Sequence, residues 1–327
     1  MKALQIIKFG EIEDSLTINE VKRPTLQATD VLIEVKAASI NPIDKSTVFG
    51  NLQALLSISL PHTSAYDVSG VVVEKGNEVT NLEIGDSVYS RVPQEQMGTI
   101  AEFVAVTNNA VAKKPENISF EEASGIPLAG LTALQSLEFA GIKENDKVLI
   151  HAGSGGVGSF AIQYAKAKGA YVYTTTSTTN VEWVKELGAD RVIDYKTEDY
   201  KKIVKGADVV FDTLGKNYTL EAFEVLKKGG KVVSVVGPID EEIAKMIGMA
   251  DYKLPEDLAK LMKDKDASYK FIFMHPNGEH LNIIKTLIED EKIIPIVDSV
   301  YPFSKSVEAF THLASGRAKG KIVIKIN

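Results

Sequence analysis

The sequence predicts a two-domain α/β protein in which a mainly β first domain precedes a doubly wound parallel sheet. Three observations carry that prediction. Short β-rich runs separated by glycine turns fill residues 31–106, apolar strands and helices alternate after about Asn117, and a glycine-rich turn, GSGGVG at 153–158, stands between a strand and a helix. The 327 residues suffice for about two domains.

In chain order, the runs VLIEVKAASI, VSGVVVEKG, DSVYSRV and TIAEFVAV read as strands, with Gly70, Gly76, Gly85 and Gly98 supplying turn chemistry. A mainly antiparallel, barrel-like or sandwich-like domain follows. Ser119 and Glu122 then form a capping-box pattern that opens a helical segment. Beyond it come strand VLIHAG, helix SFAIQYAKAKG, strand YVYTTTS, helix VEWVKELGA, strands RVIDY and DVVFDTL, helix TLEAFEVLKKGG, and strands KVVSVVG and YKFIFM. Near-continuous apolar strands suit a parallel sheet buried on both faces. Six strands complete that sheet, so the tail (helix LNIIKTLIED, strand IIPIVDSVYPF, helix SVEAFTHLASG, strand KIVIKI) is expected to return to the first domain. The expected division is 1–122 with 275–327, and 123–274.

Composition narrows the chemistry. Lys and Arg number 37 against 44 Asp and Glu, a net charge of −7, and no basic or aromatic stripe is evident, so a nucleic-acid partner is not expected. With no cysteine, disulfides, thiolate nucleophiles and cysteine-containing zinc sites are excluded, and redox chemistry needs a borrowed cofactor. The first residues carry Lys8, Glu11 and Glu13 where a secretory signal would be apolar, and no stretch is apolar enough to span a bilayer. No membrane partner is expected, and the cytoplasm is the expected location.

Gly153, Gly155 and Gly158 fit G-x-G-x-x-G directly after an apolar strand and before a helix. The first glycine permits the turn, the second lets backbone approach a pyrophosphate, and the third lets helix and strand pack closely. The loop from Gly155 through Gly156 and Val157 to Gly158 is therefore the expected phosphate cradle. No acidic residue lies between Gly153 and Glu182, where NAD sites place a carboxylate on the ribose. The second strand ends instead in Thr174 to Thr179 with Ser177 among them, then Asn180. A hydroxyl-rich pocket without a carboxylate favours NADPH, with Ser177, Thr178 and Tyr195 at the adenosine end. Leu214, Gly215, Val236 and Gly237 close sheet-end loops beside the cofactor, because ligands of open α/β sheets bind beyond the carboxyl ends of strands. Threonines are also good strand formers, which leaves a purely structural reading open for part of the pocket.

Taken with ASINPID at 38–44, PHTSAYDVSGVV at 61–72, IGDSVY at 84–89, GTIAEFV at 98–104, ASGIPLAGLTALQSL at 123–137, LGADRVIDY at 187–195 and GRAKGKIVI at 316–324, the chain resembles the zinc-independent quinone oxidoreductase and enone reductase branch of the medium-chain dehydrogenases/reductases. The resemblance implies a GroES-like catalytic domain joined to a Rossmann domain, an active site in the cleft between them, and a homodimer or tetramer. A homodimer is expected, through pairing of strand YKFIFM at the sheet edge. The resemblance also places Thr132 near the nicotinamide or phosphate.

In the zinc enzymes of that superfamily, cysteines and a Gly-His-Glu segment hold the catalytic metal. Here Asn41 stands at the first ligand position and Ala65, Tyr66 and Asp67 at the segment, while His62, His151, His275, His280 and His312 show no metal spacing. No catalytic metal is expected. The implied reaction is hydride addition to the β-carbon of an α,β-unsaturated carbonyl, or to a quinone, with charge developing on the carbonyl oxygen. Asn41 and Tyr66 are the expected donors to that oxygen, and Asp44 the residue that fixes their geometry. Tyr66 or water returns the proton to the α-carbon. The bland alternatives are turn chemistry for Asn41, a core aromatic for Tyr66 and a helix cap for Asp44. Ala65 replaces a usual glycine, and Asn180 stands where enone reductases often carry a lysine. Phe49, Leu52 and Leu56 suggest an apolar mouth for a small electrophilic carbonyl or quinone. A one-electron quinone reductase and a non-catalytic NADPH-binding protein are the competing readings.

Overall fold

The computed structural model describes residues 1–53 and 58–326, so Leu56 lies outside the described residues. Two compact units emerge: Met1–Leu131 with His275–Asn327, and Thr132–Met274. Their sequence boundary falls inside a helix at 131/132 rather than ahead of residue 123.

Along the chain the first unit begins with β1 (Lys2–Ile6), α1 (Ile12–Ser15), β2 (Leu16–Glu20), β3 (Asp30–Ile40), α2 (Pro42–Val48), β4 (His62–Thr63), β5 (Asp67–Lys75), β6 (Ser87–Arg91), β7 (Phe103–Thr107), β8 (Val111–Lys113), α3 (Phe120–Ser124) and α4 (Pro127–Ala140). The second unit holds β9 (Lys147–Ile150), α5 (Gly156–Ala167), β10 (Tyr171–Thr176), α6 (Val181–Glu186), β11 (Arg191–Asp194), α7 (Tyr200–Ile203), β12 (Ala207–Asp212), α8 (Asn217–Val225), β13 (Leu226–Ser234), α9 (Glu241–Met246), α10 (Glu256–Lys265) and β14 (Ser268–Phe271). The chain then returns through α11 (Gly278–Glu289), β15 (Val297–Pro302), α12 (Ser306–Ala314) and β16 (Lys321–Lys325). None of the described helices is long and apolar enough to cross a membrane.

In the first unit a seven-stranded sheet runs β15-β16-β3-β5-β6-β8 with β7 also on β3, antiparallel except for the β15/β16 pair. The strand from the end of the chain thus pairs with β3 in the same sheet, Ile322 opposite Ile40. A small sheet β2-β1-β4 uses strands that the sequence patterns did not reveal. Ser119 and Glu122 form the expected reciprocal cap, Glu122 N donating to Ser119 Oγ at 3.1 Å and Ser119 N to Glu122 Oε2 at 2.8 Å. The register of β3 and β5 slips between Val35 and Ala37, a bulge on β3 opposite Gly70. A Cβ on Gly70 would sit 2.1 Å from the Glu34 carbonyl oxygen, so only glycine fits there.

The second unit is one six-stranded parallel sheet, β11-β10-β9-β12-β13-β14. Connectivity reverses between β9 and β12, which makes the carboxyl ends of those two strands the topological switch point. Leu149, Val210, Phe223 and Val232 lie in its buried core, and β9 and β12 are buried along most of their length. Helices α9 and α10, between β13 and β14, were not expected from the sequence.

The bulge makes a direct prediction. Gly70→Ala should lower stability by about 1–3 kcal/mol through overpacking against backbone, read as a lower urea midpoint at unchanged slope. An unchanged midpoint would show that the bulge relaxes freely.

Candidate active site and dinucleotide loop

The first unit gathers an unusual set of buried polar side chains where β3, β5, β16 and the first turns of α2 and α4 meet. Asp67, fully buried at the start of β5, accepts from Ser39 Oγ at 3.0 Å, Asn41 Nδ2 at 2.9 Å and Lys321 Nζ at 3.3 Å on one oxygen, and from Leu128 N at 2.8 Å on the other. Lys321 Nζ also donates to the Ile40 carbonyl at 3.2 Å and to Asn41 Oδ1. Burial draws the Lys321 ammonium below its ordinary pKa, with Asp67 and Asp44 opposing. The Asn41 amide is therefore clamped at both ends, its oxygen by a cation and one hydrogen by a carboxylate. Its nitrogen carries a second hydrogen.

Asp44, at the third position of α2, accepts from Asn41 N at 2.6 Å through Oδ2, while Oδ1 is buried without a partner. The capping role and the positioning role thus coincide. Burial pushes the Asp44 carboxyl up to about 7; the Asn41 N–H opposes this and the Asp67 charge adds to it. Tyr66 is buried, and its hydroxyl donates to Gln94 Oε1 at 2.5 Å. The Arg91 guanidinium lies 4.5 Å from the centre of its ring. Burial and Asp44 raise the phenol to about 12 against the pull of Arg91 and Gln94. Ala65, just before Tyr66, holds φ at +72°, the left-handed region, which accounts for the glycine usual at this place. Phe49 packs against this unit's core and Leu52 is half-buried.

In the second unit the three motif glycines have different reasons. A Cβ on Gly153 would lie 2.2 Å from Thr174 Oγ1, and one on Gly158 2.2 Å from the Ala152 carbonyl oxygen. Packing of strand and helix demands both. A Cβ on Gly155 would meet nothing nearer than 3.5 Å, and its φ of −84° suits any residue. Packing leaves Gly155 unexplained, whereas a pyrophosphate approaching the bare backbone explains it. No side chain caps α5, so the N–H groups of Gly156, Val157 and Gly158 are available to an anion. The residues present therefore fit a dinucleotide.

Asp212, buried at the end of β12, accepts from Leu214 N at 3.0 Å, Gly215 N at 2.9 Å, Thr219 Oγ1 at 2.6 Å and Ser234 Oγ at 2.9 Å. Ser234 Oγ in turn accepts from Val236 N at 3.3 Å and Gly237 N at 2.8 Å. One carboxylate thus shapes both loops that carry the expected cofactor residues, leaving Leu214 and Val236 exposed. Burial acts to raise the Asp212 carboxyl, but the His151 imidazole at 3.5 Å, the Thr219 hydroxyl and the Gly215 N–H outweigh it and hold it well below the usual range. Thr132 is buried in α4.

The hydroxyl pocket is smaller than the sequence suggested. Thr174, Thr175 and Thr176 are buried; Thr174 Oγ1 donates to the Ile150 carbonyl at 2.8 Å and Thr175 Oγ1 accepts from Ala152 N at 3.2 Å, so these two brace the glycine turn. Ser177 and Thr178 remain accessible, beside an exposed Tyr195 whose N–H donates to the Thr176 carbonyl at 3.1 Å.

Residues 27–116 match the alcohol dehydrogenase GroES-like domain model and residues 187–324 the zinc-binding dehydrogenase model. A 2-methylene-furan-3-one reductase of Solanum lycopersicum is 36% identical over 99% of this chain and 79% of its own length. The chain belongs to the medium-chain dehydrogenases/reductases, in their quinone oxidoreductase and enone reductase branch. It is an NAD(P)H-dependent oxidoreductase of that family. An NADPH-dependent alkenal/one oxidoreductase of Arabidopsis thaliana is 35% identical over the same shares of the two chains. The quinone oxidoreductase structure from Coxiella burnetii superposes with a TM-score of 0.88 at 34% identity, covering 100% of this chain and 99% of that one.

Sequence reasoning missed Lys321, Arg91, Gln94 and Ser39 around the expected site residues, and His151 with Asp212 in the other unit. A lysine placed directly before the apolar stretch IVI at 322–324 was the available signal for Lys321. Nothing local marked Gln94.

Two predictions follow from these geometries. Gly155→Ala should keep stability within about 0.5 kcal/mol of the parent yet weaken cofactor binding, whereas Gly158→Ala should lose both; equal stability losses in thermal unfolding would refute the distinction. Asp44 holds its proton more tightly folded than unfolded, so stability should fall as pH rises from about 4 to about 7. Asp44→Asn, which keeps the acceptor for Asn41 N, should remove that slope in urea titrations at stepped pH.

Proposed function

We propose that this oxidoreductase uses NADPH to reduce the conjugated carbon of small α,β-unsaturated carbonyls, or a quinone, without a metal, as a cytoplasmic homodimer. The observation that carries the reading is the buried cluster around Asn41 and Tyr66. It contains two donors, an amide N–H polarised by Lys321 and a phenol that keeps its proton at neutral pH, which this reading assigns to the developing oxyanion. The names of the tomato and Arabidopsis relatives, for a furanone reductase and an alkenal/one oxidoreductase, support an enone substrate.

The glycine turn, Ser177, Thr178 and Tyr195 would hold the dinucleotide, and the reduced nicotinamide supplies a hydride when bound. As charge moves onto the substrate oxygen, Asn41 and Tyr66 donate to it. Tyr66 gives up its bond to Gln94 to do so, which leaves the Gln94 amide able to support the phenol. Asp44 holds the first turn of α2, and with it Asn41, in register through the Asn41 N–H. The donor set argues against a metal. Lys321 and Arg91 already set two cations against Asp67 and Asp44, and neither histidine nor cysteine belongs to the cluster. For the dimer, β14 stands at the edge of the six-stranded sheet, where its free backbone groups suit pairing across a two-fold axis.

The test is initial rates of NADPH and NADH oxidation on an enone, a simple quinone and a saturated aldehyde, with EDTA throughout. The expected result is NADPH turnover on the enone and not the aldehyde, with Tyr66→Phe lowering kcat by about 10²-fold at unchanged cofactor affinity. Activity on the quinone alone would point to the one-electron reading, and tight NADPH binding without turnover to a non-catalytic one.

A further inference from the structure

We propose that Arg91 recognises a carboxylate carried by the substrate, so that the preferred substrates are α,β-unsaturated carbonyl compounds with an acid group close to the carbonyl. The inference rests on the reading above and deepens it, because it names the class of enone. Arg91 ends β6 directly opposite Asp67 in the β5/β6 ladder, and its side chain reaches the Tyr66 ring in the buried cluster. It is only 6% exposed, so its guanidinium is a charge that the fold has largely removed from water.

A buried guanidinium is tolerated when both its N–H groups and its charge are matched. Here the match is half made. Nη1 donates to the Val92 carbonyl at 2.9 Å, while Nε is buried without an acceptor and Nη2 has none among the described residues. Nε and Nη2 form one edge of the planar group, and a carboxylate accepts two parallel N–H bonds from such an edge. The Tyr66 ring, its centre 4.5 Å from the guanidinium carbon, attracts the charge but leaves those in-plane N–H groups unused.

The protein's own acids do not complete the match. Burial draws the guanidinium below its ordinary pKa, and Tyr66, Asp67, Asp44 and Glu95 oppose this through space without an ion pair. Asp67 already accepts from Ser39, Asn41, Lys321 and Leu128, Asp44 has turned one oxygen to Asn41 N, and Glu95 is exposed. Since Asp67 and Lys321 cancel, the cluster is one negative charge short whenever Asp44 holds its proton. A substrate carboxylate supplies that charge and both missing acceptors together. Arg91 lies against the ring whose hydroxyl is assigned to the carbonyl oxygen, so acid and carbonyl are separated by few bonds. A primary amide has the shape of the acid, one acceptor oxygen instead of two, and no charge, which makes it the control.

The test uses 4-oxopentanoate and 4-oxopentanamide, which have no conjugated carbon to reduce, as competitive inhibitors of the full chain. The assay is NADPH oxidation on whichever of 3-penten-2-one and 4-oxo-2-pentenoate the parent turns over. The acid should bind about tenfold or more tightly than the amide. In Arg91→Gln that ratio should fall to about one, and in Arg91→Lys, which keeps the charge without the fork, to an intermediate value. Each ratio is taken within one protein, so a general loss of activity in a variant does not alter it. Equal inhibition by acid and amide in the parent, or a ratio that persists in Arg91→Gln, would overturn the assignment while leaving enone reduction intact. An undiminished ratio in Arg91→Lys would overturn the use of the fork even where Arg91→Gln is too unstable to assay. A parent that reduces neither enone with NADPH would overturn the reading itself, and this inference with it.

Discussion

The first unit hangs on one buried ion pair. Lys321 and Asp67 are 254 residues apart in sequence, and their contact fixes the returning strand β16 against the start of β5. A lone buried charge of either sign costs several kcal/mol, and a pair repays that only if its remaining hydrogen-bonding capacity is filled. Here it is. Asp67 has four donors and Lys321 three acceptors, drawn from β3, α2, α4 and β5. The two charges therefore act as a keystone: each element that brings a partner is held at the position the pair dictates, and Asn41 is one of those partners.

The second unit solves the same problem with dipoles. Asp212 is as buried as Asp67, yet four of its bonds come from backbone N–H groups and hydroxyls, and the His151 imidazole stands 3.5 Å away. A carboxylate that accepts several such bonds stays ionised without a lysine or arginine. The arrangement places a fixed negative centre behind the turn after β12 and draws two loops toward it. Those loops then present apolar surface at Leu214 and Val236.

Legibility in the sequence tracked how local the physics was. The β9–α5 turn was readable because strand, glycines and helix follow one another within a few residues, and the Ser119–Glu122 cap because it spans four residues. The parallel strands announced themselves by burial on both faces. What stayed hidden was non-local: β1, β2 and β4 are short and form a small sheet of their own, bridged from Ala3 to Ala101, and Lys321, Arg91 and Gln94 acquire meaning only where distant strands converge. The run of threonines at the end of β10 was read too generously, since a strand pattern does not tell which hydroxyls turn inward to brace the glycine turn. Asn41, Tyr66 and Asp44 were found by their company in a family motif; their spacing alone did not distinguish donor from cap.

The charges of the first unit also constrain how it can act on an anion. Asp67 and Lys321 cancel, Arg91 is positive, and Asp44 alone sits near a proton equilibrium at neutral pH. With Asp44 ionised the cluster is close to neutral; with Asp44 protonated it carries one net positive charge against the Tyr66 ring. Among buried groups, that difference is felt more strongly than it would be in water. A negative charge brought beside Tyr66 and Asn41 would thus be stabilised most when Asp44 holds its proton.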